Sequence, residues 1–450
     1  MIGSEVEEEF ILKIDHVGRQ GVGIGRHNGM VVFVDNALPH ETVKARVSQR
    51  KKKYLQAECL KVLETSHDRV KPPCSVYADC GGCQLQHCSY EGQLKIKQAY
   101  VRDALMRIGS FGDDCPVLPV IPSPDIWQYR NRAQYHLALN PQSHELQMGF
   151  YEKNSHRVVP CDACLLLPED VNRIASAIFG QLSHDQSDTW TEQIHHIVIR
   201  QNQTGQLLVV FVCAKVLPQL FELSKKLQQQ WHAVSWYNIN PSKHGPIYGE
   251  EWGRLAGEED FAEEICGLKF ALQAGSFLQV NHKQMENLYQ KVLEFADIGG
   301  NKSVLDLYCG VGTISLLLAK AGANVIGVEE YAPAVENAKC NAKLNGLENV
   351  IFLAGKAETV LPELVNQGIR PDLIVLDPPR SGCDQKVLDA ILDLYADNII
   401  YVSCDPATLA RDLKILCQKE YSINQVQPFD LFPQTDHVET VCLMSKKRDY

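Results

Sequence analysis

The sequence predicts an α/β chain in three parts, with a β-barrel at residues 1–65, a central α+β domain at 66–265 and a doubly wound parallel sheet at 266–450. Three observations support this division. Short alternating apolar blocks separated by turns come first, a mixed pattern follows, and regularly alternating apolar strands and helices come last. A length of 450 residues suits about two to four domains.

The composition is that of a soluble globular protein, with 45% hydrophobic and 22% charged residues. The acidic start of the chain lacks a signal-peptide pattern, and no apolar run approaches the ~18 residues of a membrane span. We therefore expect a cytoplasmic protein with no membrane association, and no obligate protein partner is indicated. In a reducing compartment, the sixteen cysteines are metal ligands, catalytic groups or core residues.

The net charge of −11 is unevenly distributed. Residues 11–71 contain twelve Lys or Arg against six Asp or Glu, and the densest basic run comprises Arg46, Arg50, Lys51, Lys52 and Lys53. Local cations of this kind bind RNA phosphates whatever the total charge. A solvated basic loop is the alternative interpretation.

The first part predicts about five short strands. Apolar and polar residues alternate at 10–14, 30–34 and 42–47. Turns are predicted at the glycine-rich segment 21–25 and at 37–39. This pattern indicates a small barrel, either RNA-binding or purely structural.

The central part predicts a helix at 90–108 and a β-hairpin at 194–212 that turns at 203–205. Aromatic, amide and guanidinium side chains alternate at 127–132, a combination that suits stacking and base-edge contacts with single-stranded RNA.

The third part predicts strands at 303–307, 324–328, 373–376 and 398–402, and helices at 314–321 and 333–345. Short apolar strands separated by helices indicate a parallel, doubly wound sheet. Such sheets bind ligands at the carboxyl ends of their strands.

A glycine loop follows the first of these strands and contains Asp306, Gly310 and Gly312. The spacing is not that of a dinucleotide fingerprint, although a nicotinamide enzyme remains an alternative. It fits S-adenosylmethionine, with Glu329 placed 17 residues after Gly312 to accept hydrogen bonds from the ribose hydroxyls. The adjacent Glu330 is expected to point to the opposite side.

A cysteine cluster in the central part predicts metal binding. Cys74, Cys80 and Cys83 lie within ten residues, with two glycines before the third. With a remote fourth thiolate the set suits an iron–sulfur cluster, for which the candidates are Cys161 and Cys164. A zinc site completed by His87 or Cys88 is the alternative.

Cys404 lies in the segment 400–406, where an apolar run meets Pro406, which can open a helix. The positive end of that helix is expected to lower the pKa of the thiol and favour the thiolate. A buried cysteine at a strand end is the alternative, but the flanking motifs favour covalent catalysis.

Three motifs occur together: Asp377-Pro378-Pro379-Arg380, Ser403-Cys404-Asp405-Pro406 and His437-Val438-Glu439-Thr440. With them, essentially the whole chain resembles the RNA uracil-C5 methyltransferases that act on 23S ribosomal RNA, relatives of the enzyme that makes ribothymidine in transfer RNA. The resemblance implies a C-terminal Rossmann-like domain dependent on S-adenosylmethionine, a central α+β domain and an N-terminal OB-like TRAM barrel that binds RNA.

The resemblance also implies the site residues. Those that contact S-adenosylmethionine would be Gln279, Tyr308, Gly310, Glu329 and Asp377. Those that bind a [4Fe-4S] cluster would be Cys74, Cys80, Cys83 and Cys164, with Cys161 as the alternative fourth ligand. One departure is Lys356, which stands where the family commonly has an acidic residue near the adenine.

The implied reaction is attack of Cys404 on carbon 6 of uracil, methyl transfer to carbon 5, and removal of the carbon 5 proton by Glu439, 35 residues downstream. The target nucleotide should be unpaired or extruded. For the cluster we expect a structural or RNA-docking role, with redox sensing as the alternative. Transfer RNA is the alternative substrate, and amino methylation of a purine or noncatalytic RNA binding are the alternative functions.

Overall fold

The computed structural model describes residues 8–184, 190–242, 245–257 and 261–447. These residues form a closed barrel, two seven-stranded sheets and one two-stranded sheet. No helix in these ranges is long and apolar enough to cross a lipid bilayer.

The N-terminal barrel has five strands in the order β1-β2-β3-β5-β4, which confirms the predicted barrel. Its strands are β1 (Glu9–Val17), β2 (Gly23–His27), β3 (Met30–Val34), β4 (Thr42–Arg50) and β5 (Tyr54–Glu64). Alternate residues of β1, such as Leu12 and Ile14, are buried inside the barrel with Val32 and Val34 of β3. Because inward-facing and outward-facing residues alternate along each strand, a small barrel can be predicted from its sequence.

The turn predicted at residues 21–25 is wrong in part, because Gly23 to Gly25 belong to β2. Gly25 pairs with Ile14 of β1 and Val32 of β3. A Cβ atom on Gly25 would lie 2.3 Å from the carbonyl oxygen of Lys13. The glycine is needed here because two backbones approach closely, not because the chain turns.

The central domain contains the predicted helix and hairpin. Its elements are α1 (Tyr90–Arg107), β6 (Arg132–Leu139), β7 (Leu146–Tyr151), β8 (Val158–Pro160), α2 (Glu169–His184), α3 (Trp190–Gln193), β9 (Ile194–Gln201), β10 (Leu207–Cys213), α4 (Gln219–Trp231), β11 (Val234–Ile239) and β12 (Glu251–Ala256). The sheet order is β12-β11-β10-β9-β6-β7-β8. Helices α2 and α4 cover one face, while Val198, Leu208 and Val210 on the other face join the core of the C-terminal domain.

A short hairpin links the two large sheets. It consists of β13 (Phe261–Ile265) and β14 (Leu268–Leu272), so the predicted boundary between 265 and 266 falls at its turn. The division of the chain at 65 and 265 stays a prediction.

The C-terminal sheet has the order β17-β16-β15-β18-β19-β21-β20. The elements are α5 (His282–Ala296), β15 (Ser303–Leu307), α6 (Thr313–Lys320), β16 (Asn324–Glu329), α7 (Ala332–Leu344), β17 (Val350–Ala354), α8 (Ala357–Asn366), β18 (Leu373–Leu376), α9 (Gln385–Leu394), β19 (Asn398–Ser403), α10 (Pro406–Lys419), β20 (Tyr421–Phe429) and β21 (Glu439–Lys446). Strands β15 to β19 are parallel, and β21 runs antiparallel between β19 and β20.

Helices lie on both faces of this sheet, which confirms the doubly wound prediction. Val304 and Val375 pack with α5, α6 and α7, whereas their neighbours Leu305 and Ile374 pack with α8, α9 and α10. Both faces of the inner strands β15, β18 and β19 are therefore buried, and this explains why their sequences are largely apolar.

Candidate active site

The site lies at the carboxyl ends of β15, β16, β18 and β19, where a cavity of about 1550 Å³ opens. All seven residues predicted for the cofactor and the catalysis line it: Gln279, Tyr308, Gly310, Glu329, Asp377, Cys404 and Glu439. The structure therefore brings together side chains that are up to 160 positions apart in the sequence, as expected at the ligand-binding edge of such a sheet.

The glycine loop shapes one wall of the cavity. Gly310 and Gly312 adopt positive φ values of 56° and 85°, which favour glycine. A Cβ atom on Gly310 would meet no atom within 4 Å, so the backbone there faces open space. The loop leads into α6, whose first residue, Thr313, lines the cavity.

Glu329 is fixed beside this loop. The backbone N–H of Gly310 donates to Glu329 Oε2 at 3.1 Å, and that of Tyr331 donates to Oε1 at 2.8 Å. Each carboxylate oxygen keeps a further lone pair. The oriented carboxylate can therefore accept hydrogen bonds from two hydroxyls of a ligand. Glu330 also lines the cavity.

Gln279 lies in a segment whose carbonyls are held on both sides. Arg200 donates to the carbonyl oxygens of Ser276 at 3.2 Å and Leu278 at 3.4 Å, and the N–H of Asn131 donates to Val280 O at 2.8 Å. The central domain thus positions this residue against the C-terminal domain.

Three more residues lie in or beneath the predicted cofactor region. Tyr308 has a φ of 63°, and burial raises the pKa of its hydroxyl. Lys356 lines the cavity. Asp306 instead lies beneath the loop, where it accepts a hydrogen bond from the Ser315 hydroxyl and burial raises its pKa to about 7.

Asp377 follows β18, and burial raises the pKa of its carboxyl to about 7. The loop after it is tied to α10. Arg411 donates to the carbonyl oxygens of Ser381 at 3.0 Å and Cys383 at 3.2 Å, and Asp412 accepts from the N–H of Cys383 at 2.9 Å. These contacts fix the Asp-Pro-Pro-Arg segment against the helix that follows Cys404.

Cys404 follows β19, and α10 begins at Pro406 as predicted. The expected fall in the pKa of its thiol is wrong for this structure. Burial, followed by the Glu439 and Asp377 carboxylates, raises the pKa of Cys404 to about 12. The helix end cannot offset this, because the Asp405 carboxylate already accepts from the N–H groups of Ala407 and Thr408.

Glu439 stands beside Cys404 because of strand register. Ser403 of β19 pairs with Thr440 of β21, so the next residues along the antiparallel ladder are Cys404 and Glu439. Glu439 is only 3% exposed. Burial and the nearby Asp377 raise the pKa of Glu439 well above its usual range, and Arg380 opposes this. A half-buried nucleophile and a buried candidate base therefore lie side by side.

Sequence reasoning gave no role to Arg380 or His437, although both lie within the recognised motifs. Both line the cavity, with Arg380 Nη2 and His437 Nε2 3.4 Å apart. Arg380 is also the cation that lowers the pKa of both Cys404 and Glu439. Phe432, 5.9 Å from His437 between ring centres, was missed because no motif marks it.

The predicted cluster cysteines lie near one another. Burial and the neighbouring thiols of Cys164, Cys80 and Cys74 raise the pKa of Cys83 to about 12. The thiols of Cys164, Cys80 and Cys74 also raise the pKa of Cys161. Within the described parts of the chain, however, no three His, Cys, Asp or Glu side chains are arranged closely enough to hold a metal ion.

The zinc alternative receives little geometric support. After burial, the groups with the largest effect on the pKa of Cys88 are Asp68 and Arg69, not the cluster cysteines. His87 Nδ1 lies 2.6 Å from the hydroxyl of Tyr77.

The predicted RNA-contacting residues lie outside this cavity. In the basic run, Arg46 contacts Glu58 at 3.2 Å and Arg50 contacts Glu8 at 2.6 Å. Further along the chain, Arg132 donates to the hydroxyl of Tyr248 at 3.2 Å. Their role in RNA binding stays a prediction.

The fold and the site define a class of enzyme. A doubly wound sheet with this glycine loop and a strand-end acid is that of an S-adenosylmethionine-dependent methyltransferase. The chain belongs to the tRNA (uracil-5-)-methyltransferase family, whose profile matches residues 89–447, and the TRAM domain profile matches residues 3–60.

Similar proteins agree with this family. The chain is 40% identical over 444 residues to an uncharacterized RNA methyltransferase of Halalkalibacterium halodurans, covering 96% of each chain. It is 40% identical over 445 residues to an uncharacterized RNA methyltransferase of Listeria innocua, covering 97% of each.

Among solved structures, it is similar to the Pyrococcus abyssi tRNA (uracil-54, C5)-methyltransferase in complex with S-adenosyl-L-homocysteine. The TM-score is 0.75 and the identity 28%, over 97% of this chain and 100% of the other. The protein is therefore an S-adenosylmethionine-dependent RNA (uracil-5-)-methyltransferase with an N-terminal TRAM barrel.

Proposed function

We propose that this enzyme methylates carbon 5 of a specific uridine in 23S ribosomal RNA through a covalent bond between Cys404 and carbon 6 of uracil. The observation that carries the mechanism is the adjacency of Cys404 and Glu439 at the end of paired strands inside the cavity. A thiol and a carboxyl placed together suit a reaction that needs both a nucleophile and a base.

The chemistry explains the pair. Carbon 5 of uracil is a poor nucleophile, and addition of the Cys404 thiolate to carbon 6 moves electron density onto it. After carbon 5 has gained the methyl group, Glu439 accepts the proton from carbon 5. The bond between carbon 6 and sulfur then breaks, which restores the uracil double bond and returns the thiolate.

Cys404 has to ionise for this reaction, and the surrounding charges indicate how. Carboxylates at Glu439 and Asp377 raise the pKa of Cys404, and Arg380 lowers it. Neutralisation of these carboxylates, by a proton or by a bound cation, removes the repulsion. Filling the cavity is therefore expected to increase the fraction of Cys404 that is ionised.

The cofactor residues fit their proposed ligand. We assign Gln279, Tyr308, Gly310, Glu329 and Asp377 to S-adenosylmethionine, which supplies an electrophilic methyl group on a positively charged sulfur. The open space at Gly310 and the oriented carboxylate of Glu329 support this assignment. Asp377 would place a negative charge in the same cavity as the sulfonium.

The experiment uses a transcript with 5-fluorouridine at the target position. Fluorine cannot leave as a proton does, so the covalent species should be trapped with the cofactor present. Replacing Cys404 with Ala should abolish both the adduct and the methylation. An amino methyltransferase would retain turnover in this variant, and a noncatalytic RNA-binding protein would show no adduct even with the wild-type chain.

Transfer RNA is the second candidate substrate. The observation that favours it is the similarity to the Pyrococcus abyssi enzyme, which acts on transfer RNA. The resemblance to 23S-specific enzymes, which rests on the three motifs around Asp377, Cys404 and Glu439, supports ribosomal RNA. Mass mapping of methyluridine in both RNAs from a deletion strain distinguishes the two and also identifies the position.

For the cysteine cluster we propose a [4Fe-4S] centre held by Cys74, Cys80, Cys83 and Cys164, with a structural role. Four thiols within electrostatic reach of one another suit that centre in their donor chemistry. Cys164 is assigned as the fourth ligand from the resemblance, and Cys161 is the alternative, because Cys80 and Cys74 raise the pKa of both thiols.

Iron and sulfide analysis of the anaerobically purified chain tests this proposal. We expect about four iron atoms per chain, lost in a Cys164→Ser variant and retained in the matched Cys161→Ser variant. Stoichiometric zinc without iron would refute the assignment, and the reverse pattern in the two variants would exchange the fourth ligand.

A further inference from the structure

The segment between β20 and β21, residues 430–438, brings Phe432 and His437 to the cavity and leads directly to Glu439. Its backbone is held from outside at four consecutive carbonyl oxygens. Leu431 O accepts from Asn281 Nδ2 at 3.0 Å, Phe432 O from Lys97 Nζ at 3.0 Å, Pro433 O from the Tyr129 hydroxyl at 2.9 Å, and Gln434 O from the N–H groups of Gln84 at 3.0 Å and Leu85 at 2.9 Å.

Two of these four positions are held by groups close to the cysteines. Gln84 and Leu85 follow Cys83 immediately in the chain. Tyr129 is buried near Cys164, since the N–H groups of its neighbours Gln128 and Arg130 donate to Leu165 O at 3.0 Å and Leu166 O at 2.9 Å. Residues 74–85, here called the cysteine loop, are thus hydrogen-bonded directly to the 430–438 segment, which carries Phe432 and His437.

Gln93 of α1 also links the cysteine loop to the 430–438 segment. Its side chain is 1% exposed. Its Oε1 accepts from the N–H of Gln434 at 2.9 Å, and its Nε2 lies 3.0 Å from Gln434 Oε1, 3.1 Å from Leu85 O and 3.0 Å from Cys88 O. One buried amide therefore contacts both the cysteine loop and the 430–438 segment, and a buried network of this kind is rigid when every member is satisfied.

We propose that Gln93 is a positioning residue through which the cysteine loop sets the place of Phe432 and His437 in the active site. The inference rests on the proposed function for its catalytic consequence. The cysteine cluster would then hold an active-site segment in place, which is a role that needs no electron transfer. Disorder of the loop would free the Gln84 and Leu85 donors, and Gln434 would lose its anchor.

The test compares Gln93→Met with Gln98→Met on the same helix. Methionine keeps the length and loses the hydrogen bonds. Gln98 is a matched control because its side-chain amide donates to Leu118 O, which belongs neither to the cysteine loop nor to the 430–438 segment. Amide hydrogen exchange of peptides covering residues 431–438 is measured by mass spectrometry without RNA, together with kcat and the KM for S-adenosylmethionine.

We expect Gln93→Met to speed exchange in 431–438 and to lower kcat, each about tenfold, as loss of a satisfied buried bond implies. The KM for S-adenosylmethionine should change less than twofold. A Cys83→Ser variant should speed exchange in the same peptides, and the double variant should go no further than the larger single effect. Gln98→Met should leave 431–438 as in the wild type.

Cys83→Ser that speeds exchange only around residues 74–90 would overturn the proposal, as would additive effects in the double variant. If Gln93→Met does not fold, Tyr129→Phe removes the Pro433 contact alone and should give the same pattern more weakly, whereas unchanged exchange would contradict it. Because exchange needs no RNA, it is independent of the proposed function, whose own failure is a wild-type chain that forms no adduct.

Discussion

Replacing Glu439 with Gln should separate the two halves of the reaction. Glutamine keeps the shape of this buried side chain, which is 3% exposed, but cannot take a proton from carbon 5. General bases contribute about 10² to 10⁴ in rate, so turnover should fall by that range. The first half should survive, because the carboxylate of Glu439 is one of the groups that raise the pKa of Cys404 to about 12.

The size of that second effect follows from the pKa. At pH 8 a thiol with a pKa of about 12 is ionised in about one molecule in 10⁴, and each unit of pKa removed increases this fraction tenfold. Attack on carbon 6 should therefore be as fast as in the wild type or faster. With attack intact and release slowed, a covalent complex of protein and RNA should accumulate on unmodified uridine.

The assay is rapid quenching of the variant with a labelled transcript and S-adenosylmethionine, followed by denaturing electrophoresis. We expect a burst of slowly migrating complex and then slow release of methylated RNA. Turnover within threefold of the wild type would refute the role of Glu439 as base. Loss of both complex and product, in a variant that still binds the cofactor, would show that Glu439 is needed before the attack.

Three further predictions concern ionisation, cofactor binding and stability. Adduct formation on 5-fluorouridine RNA should accelerate about tenfold per pH unit between pH 6 and 9, since this range lies below the raised pKa of Cys404 and the thiolate fraction increases with pH. Glu329→Ala should weaken S-adenosylmethionine binding about 10- to 100-fold in calorimetry through lost charge-assisted hydrogen bonds. Lys97→Met should destabilise the fold by about 3–5 kcal/mol in urea unfolding, because Lys97 and its ion-pair partner Asp430 are both 0% exposed.

Neighbouring residues supply the controls. Glu330→Ala should leave the affinity within about threefold, and equal losses at both acids would contradict the assignment of Glu329. Lys95→Met, on a side chain that is 63% exposed, should cost less than about 1 kcal/mol. A pH-independent adduct rate would mean that Cys404 is already a thiolate in the complex.

The architecture was predictable because each part has a strong local pattern. The strands at Ser303–Leu307 and Asn398–Ser403 are mostly apolar, which follows from burial on both faces. The glycines at 23 and 25 were misread, since a glycine required by a neighbouring strand looks the same in sequence as one required by a turn. The contact that distinguishes them is made by a residue elsewhere in the chain.

The sequence predicted residues that line one cavity, but it did not predict the environment they form there. Motifs identified Cys404 and Glu439, and the carboxyl-edge rule placed them together. The pKa of Cys404 was predicted in the wrong direction because it depends on burial and on carboxylates brought in by β18 and β21. Likewise, the role of Gln93 rests on contacts with Gln434, 341 positions away, which no local pattern encodes.

The position of β21 has a consequence for synthesis. This strand lies between β19 and β20 although it follows both in the sequence. A nascent chain that has left the ribosomal tunnel only as far as β20 carries Cys404 without Glu439, and it lacks the strand with which β20 pairs in this sheet. Such a chain has neither the proposed base nor the strand pairing that aligns it, so methylating capacity should arise only after β21 has been made and has paired with β19 and β20.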